Sequence, residues 1–234
     1  MTPANATLRR SGLRLGTILL LAAGISACAQ SDPVHPEIET PKVAESVASM
    51  YAPIQDGEET VPGIDVSKMD PKNVRQVVDY KTGYPPGTIV VDPYARFLYL
   101  VMENGKAMRY GVGVAKAGME FKGEADIARK AQWPGWVPTQ DMIRRQPERY
   151  GPLASGLEGG VRNPLGARAL YLYQGGKDTL YRIHGTNEPW TIGKSVSSGC
   201  IRLMNQDIID LYRRAPKGSK VVVLGPEQSG KGEM

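Results

Sequence analysis

A chain of 234 residues, 41% hydrophobic and 23% charged, has the size and composition of one or two soluble globular domains. Its 27 glycines and 18 prolines imply many turns, which favours a β-rich fold over a helical bundle. The net charge of +5 (pI ≈ 9.1) is spread along the chain with no Lys/Arg block or basic helix, which argues against nucleic-acid binding.

The stretch TLRRSGLRLGTILLLAAGISACAQ opens with a basic region (Arg9, Arg10, Arg14) and continues with an apolar run from Leu15 to Ala23. The run is short for a bilayer span, so it reads as a secretory signal. Its end, Ile25-Ser26-Ala27-Cys28, resembles the lipobox of bacterial lipoproteins. That resemblance implies a signal over 1–27, cleavage before Cys28 and lipidation of its thiol. The product would sit in the periplasm of a Gram-negative bacterium, lipid-anchored to the inner or outer membrane. Each buried acyl methylene contributes about 0.8 kcal/mol to such an anchor. The alternative is cleavage at the small-residue site within Ser26–Gln30, which gives a soluble periplasmic protein. The residues after Arg9-Arg10 match a twin-arginine signal poorly.

Residues 28–62 are rich in Pro, Glu, Ser and Ala without a sustained apolar pattern, and read as a flexible tether. His35 lies there, between Val34 and Pro36, a poor place for a catalytic base. A helical lead-in is expected over 63–85, with a helix over 70–80: Asp70 suits the N-cap, Pro71 the first position, and Val74, Val77 and Val78 share a face. TGYPPG ends it. Strands follow (TIVVD, FLYLV, MRYGVGV), with Asn104-Gly105 as a hairpin turn. Gly111 and Gly113 read as strand glycines, because a phosphate loop needs a third glycine and a following helix. Thr139 caps a short helix over 140–146, and the Gly-rich loop that follows is long enough to imply a function. ALYLY and TLYRIHG are strands joined across QGGKD. NQDIIDLYRR is a helix capped by Asn205, and SKVVVLG is a closing strand. The folded body is one mainly β domain over 86–226, and 227–234 read as a disordered tail.

Chemistry centres on Cys200. Cysteines of exported proteins are expected in pairs, and if Cys28 is lipidated or removed with the signal, Cys200 lacks an intramolecular partner. A zinc shell fails too, since one Cys and one or two His do not supply four ligands. Two readings stay open: a small buried hydrophobe or a reactive thiol. If the thiol is a nucleophile, its base is His184, the only histidine besides His35. Alternation along TLYRIHG puts Leu180, Arg182 and His184 on one face, with His184 at the strand end. An extended SSGCIR segment likewise aligns Ser198, Cys200 and Arg202. Gly199 permits close backbone approach, the N–H groups of Gly199 and Cys200 suit an oxyanion, and Arg202 suits a carboxylate. Taken singly, a Cys, a strand-end His and an Arg are most often structural. Taken together in an exported chain, they indicate a Cys-His acyl-transfer or hydrolytic enzyme for a carboxylate-bearing substrate.

RIHGTNEPWTIGKSVSSGCIRLMNQDIIDLY is similar to the L,D-transpeptidase (YkuD) catalytic domain. His184-Gly185-Thr186 and Ser197-Ser198-Gly199-Cys200-Ile201-Arg202 match its motif, except that Ser198 stands where many members have histidine. The resemblance implies a mainly β fold, a sandwich of mixed sheets with the Cys-His pair under a lid. It also implies a reaction without metal or cofactor. Cys200 attacks the third-residue carbonyl of a peptidoglycan stem peptide, D-alanine leaves, and the thioester passes to an amine. His184 serves as proton donor and acceptor, oriented by a backbone carbonyl, and Gly199 as the oxyanion backbone. Arg202 holds a substrate carboxylate or braces the loop. Ser198, Gly185, Thr186, Asn187 and Trp190 are substrate-contact candidates. Trp133, Trp136 and segment 151–166 are lid candidates by position. Three acceptors stay open: a second stem, an outer-membrane protein, or water. A wall-binding lipoprotein without the chemistry is the remaining alternative.

Overall fold

The β-branched and aromatic runs that begin at Ile89 build one large mixed sheet, and its middle strands are buried on both faces. A computed structural model describes residues 46–116 and 121–232. The signal, Cys28 and His35 lie outside the described residues. The strands are β1 (Ile54–Asp56), β2 (Glu59–Val61), β3 (Gln76–Asp79), β4 (Ile89–Asp92), β5 (Phe97–Val101), β6 (Lys106–Gly111), β7 (Val114–Ala115), β8 (Gly123–Gln132), β9 (Arg168–Gln174), β10 (Lys177–His184), β11 (Ser195–Ser197), β12 (Ile201–Arg202) and β13 (Lys220–Val223). The α-helices are α1 (Val47–Met50), α2 (Gln140–Arg145), α3 (Pro147–Tyr150) and α4 (Asn205–Arg214).

Nine strands form the main sheet in the order β12-β10-β9-β8-β13-β4-β5-β6-β3. Its parallel pairs are β12 with β10 and β13 with β4; the other neighbours are antiparallel. Alternation along β4 sends Ile89 and Val91 into one apolar cluster and Val90 into another on the opposite face. The first cluster takes Ile208 and Leu211 from α4, which therefore closes one face of the sheet. Asn104 and Gly105 both adopt positive φ, 59° and 65°, as a two-residue hairpin turn requires.

Four expectations are corrected. Residues 70–80 are not a helix. Asp70 does cap Pro71–Asn73, but as a single 3-10 turn, and the chain then becomes β3 on the edge of β6. Val74, Val77 and Val78 lose side-chain freedom in a helix, and the open edge of β6 offers backbone partners. The tether does not extend to residue 62, because 46–62 are built into the fold. Tyr51 is fully buried, Arg168 grips the Asp56 carboxylate with both terminal nitrogens (2.6 and 2.7 Å), and Gln206 donates to the Pro62 carbonyl (2.8 Å). A polar composition hid these few anchoring contacts. The tail is ordered through residue 232, since Asp92 accepts from Ser229 Oγ and the Gly230 N–H (2.9 Å each) and the Lys81 N–H donates to the Gly232 carbonyl (2.7 Å). Finally, alternation along β10 breaks at Leu180, which takes φ 63° at a register shift and stands exposed.

Candidate active site

β10 and β12 run parallel with His184 opposite Arg202 and Ile183 opposite Ile201. Extending that register by one residue places Cys200 level with Arg182. Residues level in a parallel pair share a face and alternate along it, so Arg182, His184 and Arg202 lie on one side, and the Arg182 backbone hydrogen-bonds the Cys200 thiol. The sequence-predicted pair is thus brought to neighbouring positions on adjacent chain segments. β12 is held from its other side by Gly113, whose N–H and carbonyl bond Arg202 (2.9 and 2.8 Å). A Cβ on Gly113 would meet the Thr191 carbonyl at 2.8 Å, so that close approach requires glycine.

His184 is buried, and its Nδ1 lies 2.6 Å from the Gly185 carbonyl. A carbonyl only accepts, so Nδ1 carries the proton. Burial, then the Arg202 cation, push the imidazole pKa down to about 3 against the pull of backbone hydrogen bonds to Gly185 and Leu165. Packing around the sulfur pushes the Cys200 thiol up, although the Arg182 backbone and the Arg182 and Arg202 cations oppose it. Resting charges are therefore a neutral imidazole and a neutral thiol.

Asn205 is a residue that sequence reasoning misassigned. The cap of α4 is Met204, and Asn205 is the first helical residue. Its Oδ1 instead accepts from the Ala167 N–H (3.0 Å) and the Thr186 N–H (3.2 Å), pinning the turn after His184 to the strand β9 entrance. Gly166 sits there at φ 62°, and a Cβ on Gly166 or Gly185 would overlap Asn205 Oδ1. Asn205→Ala orphans two buried N–H groups, each costing about 1–3 kcal/mol. We expect thermal denaturation to show a loss of about 2–4 kcal/mol, with activity falling further than stability explains, because the His184-Gly185 turn is freed.

Ser197 was also missed. It is buried, accepts from the Gly199 N–H (3.3 Å) and donates to the Cys200 carbonyl (2.6 Å). Its signal was a serine two residues before a glycine, the usual setting of a side-chain turn bond. Gly199 takes φ 143°, a conformation that favours glycine. Its N–H, expected to serve an oxyanion, is engaged by Ser197 Oγ in this state.

The other candidates scatter around this centre. Arg202 is already paired with Glu188 (2.9 Å), and Arg149 of α3 holds the second oxygen of Glu188 (3.1 Å). Thr186 Oγ1 accepts from the Glu188 N–H (2.9 Å), and Asn187 donates to the Arg162 carbonyl (2.8 Å), so both shape the loop. Ser198 and the exposed Trp190 line a cleft of about 540 Å³ beside the pair. Trp136 exchanges two backbone bonds with Leu157 in segment 151–166 and sets its ring against Tyr150. Trp133 packs into the core with Val61, Ala167 and Ile209, so it belongs to no lid. Among the described residues, no three His, Cys, Asp or Glu side chains converge to hold a metal ion.

The L,D-transpeptidase catalytic domain (YkuD) family matches residues 86–223. The chain is 33% identical over 140 residues to the Escherichia coli protein named probable L,D-transpeptidase ErfK/SrfK, covering 59% of this chain and 44% of that one. A Fuscovulum blasticum protein, named a putative L,D-transpeptidase in an ATP synthase subunits region, is 33% identical over 138 residues, 58% of this chain and 68% of its own. The chain thus spans less than half the length of ErfK/SrfK. A crystal structure from Brucella melitensis, described as a probable carnitine operon oxidoreductase caia, is 54% identical across 68% of this chain and 99% of its own, with a TM-score of 0.46. That superposition carries no argument about function. The family match takes in the His184 turn, the Cys200 turn and the strands that align them, and the chain belongs to the YkuD family of L,D-transpeptidase catalytic domains.

Proposed function

We propose that the protein is a peptidoglycan L,D-transpeptidase with Cys200 as nucleophile and His184 as proton carrier. The observation that carries this reading is buried His184, its Nδ1 committed to the Gly185 carbonyl, at the end of the strand that pairs with the one following Cys200. In this reading Nε2 takes the thiol proton as the sulfur attacks the third-residue carbonyl of a stem peptide. The amide C–N bond breaks, D-alanine leaves with the proton from His184, and a thioester remains. A second stem's side-chain amine then attacks, forming the new amide and returning the sulfur to the thiol. The Gly199 N–H would turn from Ser197 Oγ to the oxyanion during the tetrahedral stage. Arg202, held by Glu188, braces the loop.

The same centre serves transfer to an outer-membrane protein's amine, or to water; acceptor choice resides in the cleft. The signal and the lipobox at Cys28 support periplasmic placement on a lipid anchor. Intact-protein mass spectrometry with a disaccharide tetrapeptide tests the chemistry. Wild type is expected to gain a thioester adduct and release D-alanine, and Cys200→Ala to do neither. Dimer or free tripeptide among the products separates transfer from hydrolysis. Folded wild-type protein that forms no adduct and no product would establish the wall-binding alternative.

A further inference from the structure

We propose that Arg182 is a positioning residue for the nucleophile, its guanidinium aimed by a bulge in β10 and fixed at the level of Cys200 as a permanent positive charge. The proposal rests on the transpeptidase reading for what the thiol attacks, and adds a group that governs its ionisation. The register between β9 and β10 shifts between Asp178 and Arg182, and Leu180 takes φ 63° there with its side chain exposed. A leucine in the left-handed region is strained, and bulges re-aim the side chains around them. Four residues of regular strand span about 13 Å. Here Asp178 and Arg182, four apart, meet in a two-point ion pair (2.7 and 2.8 Å), and the Leu180 N–H donates to the same carboxylate (2.8 Å).

The aimed guanidinium is held on further sides. It lies over the Tyr171 ring (4.3 Å to the ring centre) and donates to the Tyr181 carbonyl (2.9 Å). Tyr171 of β9 is in register with Arg182 of β10 and with Arg129 of β8, and Arg129 lies over the same ring (4.1 Å). The Arg182 side chain is 14% exposed and that of Asp178 is 33% exposed, so the carboxylate is the better screened of the two by water. Pairing of Ile183 with Ile201 sets Arg182 level with Cys200, and its backbone bonds the thiol. The cations acting on the thiol are Arg182 and Arg202, and both also depress the neighbouring His184 imidazole. A fixed cation and burial leave different signatures. The cation lowers both groups, whereas burial raises the thiol and lowers the imidazole. Loss of the charge and loss of packing therefore move the thiol in opposite directions.

The test titrates the full chain without substrate and reads the thiolate by its ultraviolet absorbance, as the difference from Cys200→Ala protein. Arg182→Gln is expected to move the thiolate midpoint up, so that thiolate at a fixed pH below the midpoint falls about fivefold, and Arg182→Lys to restore part of it. Asp178→Asn keeps an oxygen for the Leu180 N–H and removes the carboxylate charge. It should move the midpoint down at an unchanged melting temperature, and it reads the same charge should Arg182→Gln fail to fold. Arg129→Gln, on the same ring but one strand farther from Cys200, should leave the midpoint in place. A midpoint that stays or falls in Arg182→Gln overturns the proposal, a fall being the mark of lost burial. An unchanged or raised midpoint in Asp178→Asn overturns it too, as does a shift in Arg129→Gln equal to that in Arg182→Gln. The expected shifts in a protein that forms no thioester with a tetrapeptide would keep the role of Arg182 and remove the transpeptidase reading.

Discussion

Acylation of Cys200 is expected to proceed at a constant rate across the pH range where free histidine titrates, and His184→Ala to slow it by about a thousandfold at neutral pH. The argument follows from the resting charges. With its pKa near 3, the imidazole is already in its basic form throughout the mildly acidic range. The thiol, raised above its ordinary value, stays protonated through neutrality. Attack therefore depends on proton transfer to Nε2 in the same step, and no acidic limb near pH 6.5 should appear. Without His184, only the spontaneous thiolate reacts, so the variant's rate should climb about tenfold per pH unit and the deficit should shrink with alkalinity. Single-turnover acylation followed by mass spectrometry reads both profiles. An acidic limb near 6.5 in wild type would show that water reaches the imidazole and that burial does not hold it neutral. Iodoacetamide gives an independent check: a neutral thiol should alkylate slowly at pH 7 and faster as pH rises.

What was legible in the sequence follows from scarcity and from local rules. A chain with two cysteines and two histidines, one of each in the N-terminal stretch, leaves Cys200 and His184 with no rivals. The Asn104-Gly105 turn, the Thr139 cap and the amphipathic α4 are set by neighbours a few residues away, and these expectations hold. Contacts between distant segments were not legible. Asn205 looks like a cap because polar residues usually stand at helix starts, yet its partners Ala167 and Thr186 are 38 and 19 residues away. Glu188 gave no signal beside Trp190, although it decides what Arg202 can bind. Residues 46–62 carry too few apolar side chains to show a pattern, and single insertions such as Tyr51 fix them. The stretch 70–80 failed because helical spacing of valines is compatible with a strand once an edge is available.

Arg75→Ala is expected to cost about 3–5 kcal/mol and to cost more at pH 8 than at pH 5. Arg75 Nη1 lies 3.4 Å from Asp207 Oδ1, and the Asp207 side chain has no exposed surface. Tyr51 donates to the other carboxylate oxygen (3.1 Å) and accepts from the Arg75 N–H (2.9 Å). Burial raises the Asp207 pKa to about 7 in spite of the Arg75 cation and the Tyr51 bond. The folded value exceeds the unfolded one, so the protonated acid favours the native state. That contribution is complete below the unfolded pKa near 4 and is lost as pH rises through 7. Removing Arg75 takes away the main force holding the carboxylate charged, so the penalty grows where the acid must ionise. Denaturation at the two pH values checks the sign, and Asp207→Asn in the same background should remove the pH dependence. Equal losses at both pH values would mean that Arg75 acts through packing and not through charge. Limited proteolysis should cut the Arg75→Ala protein first within 46–75, because Tyr51 and Arg75 tie that segment to α4. The consequence reaches the site. Asp207 is two residues beyond Asn205 in the first turn of α4, so loosening that turn loosens the Oδ1 bonds that hold the His184-Gly185 turn in place. Activity should therefore fall at temperatures where the sheet itself is still folded.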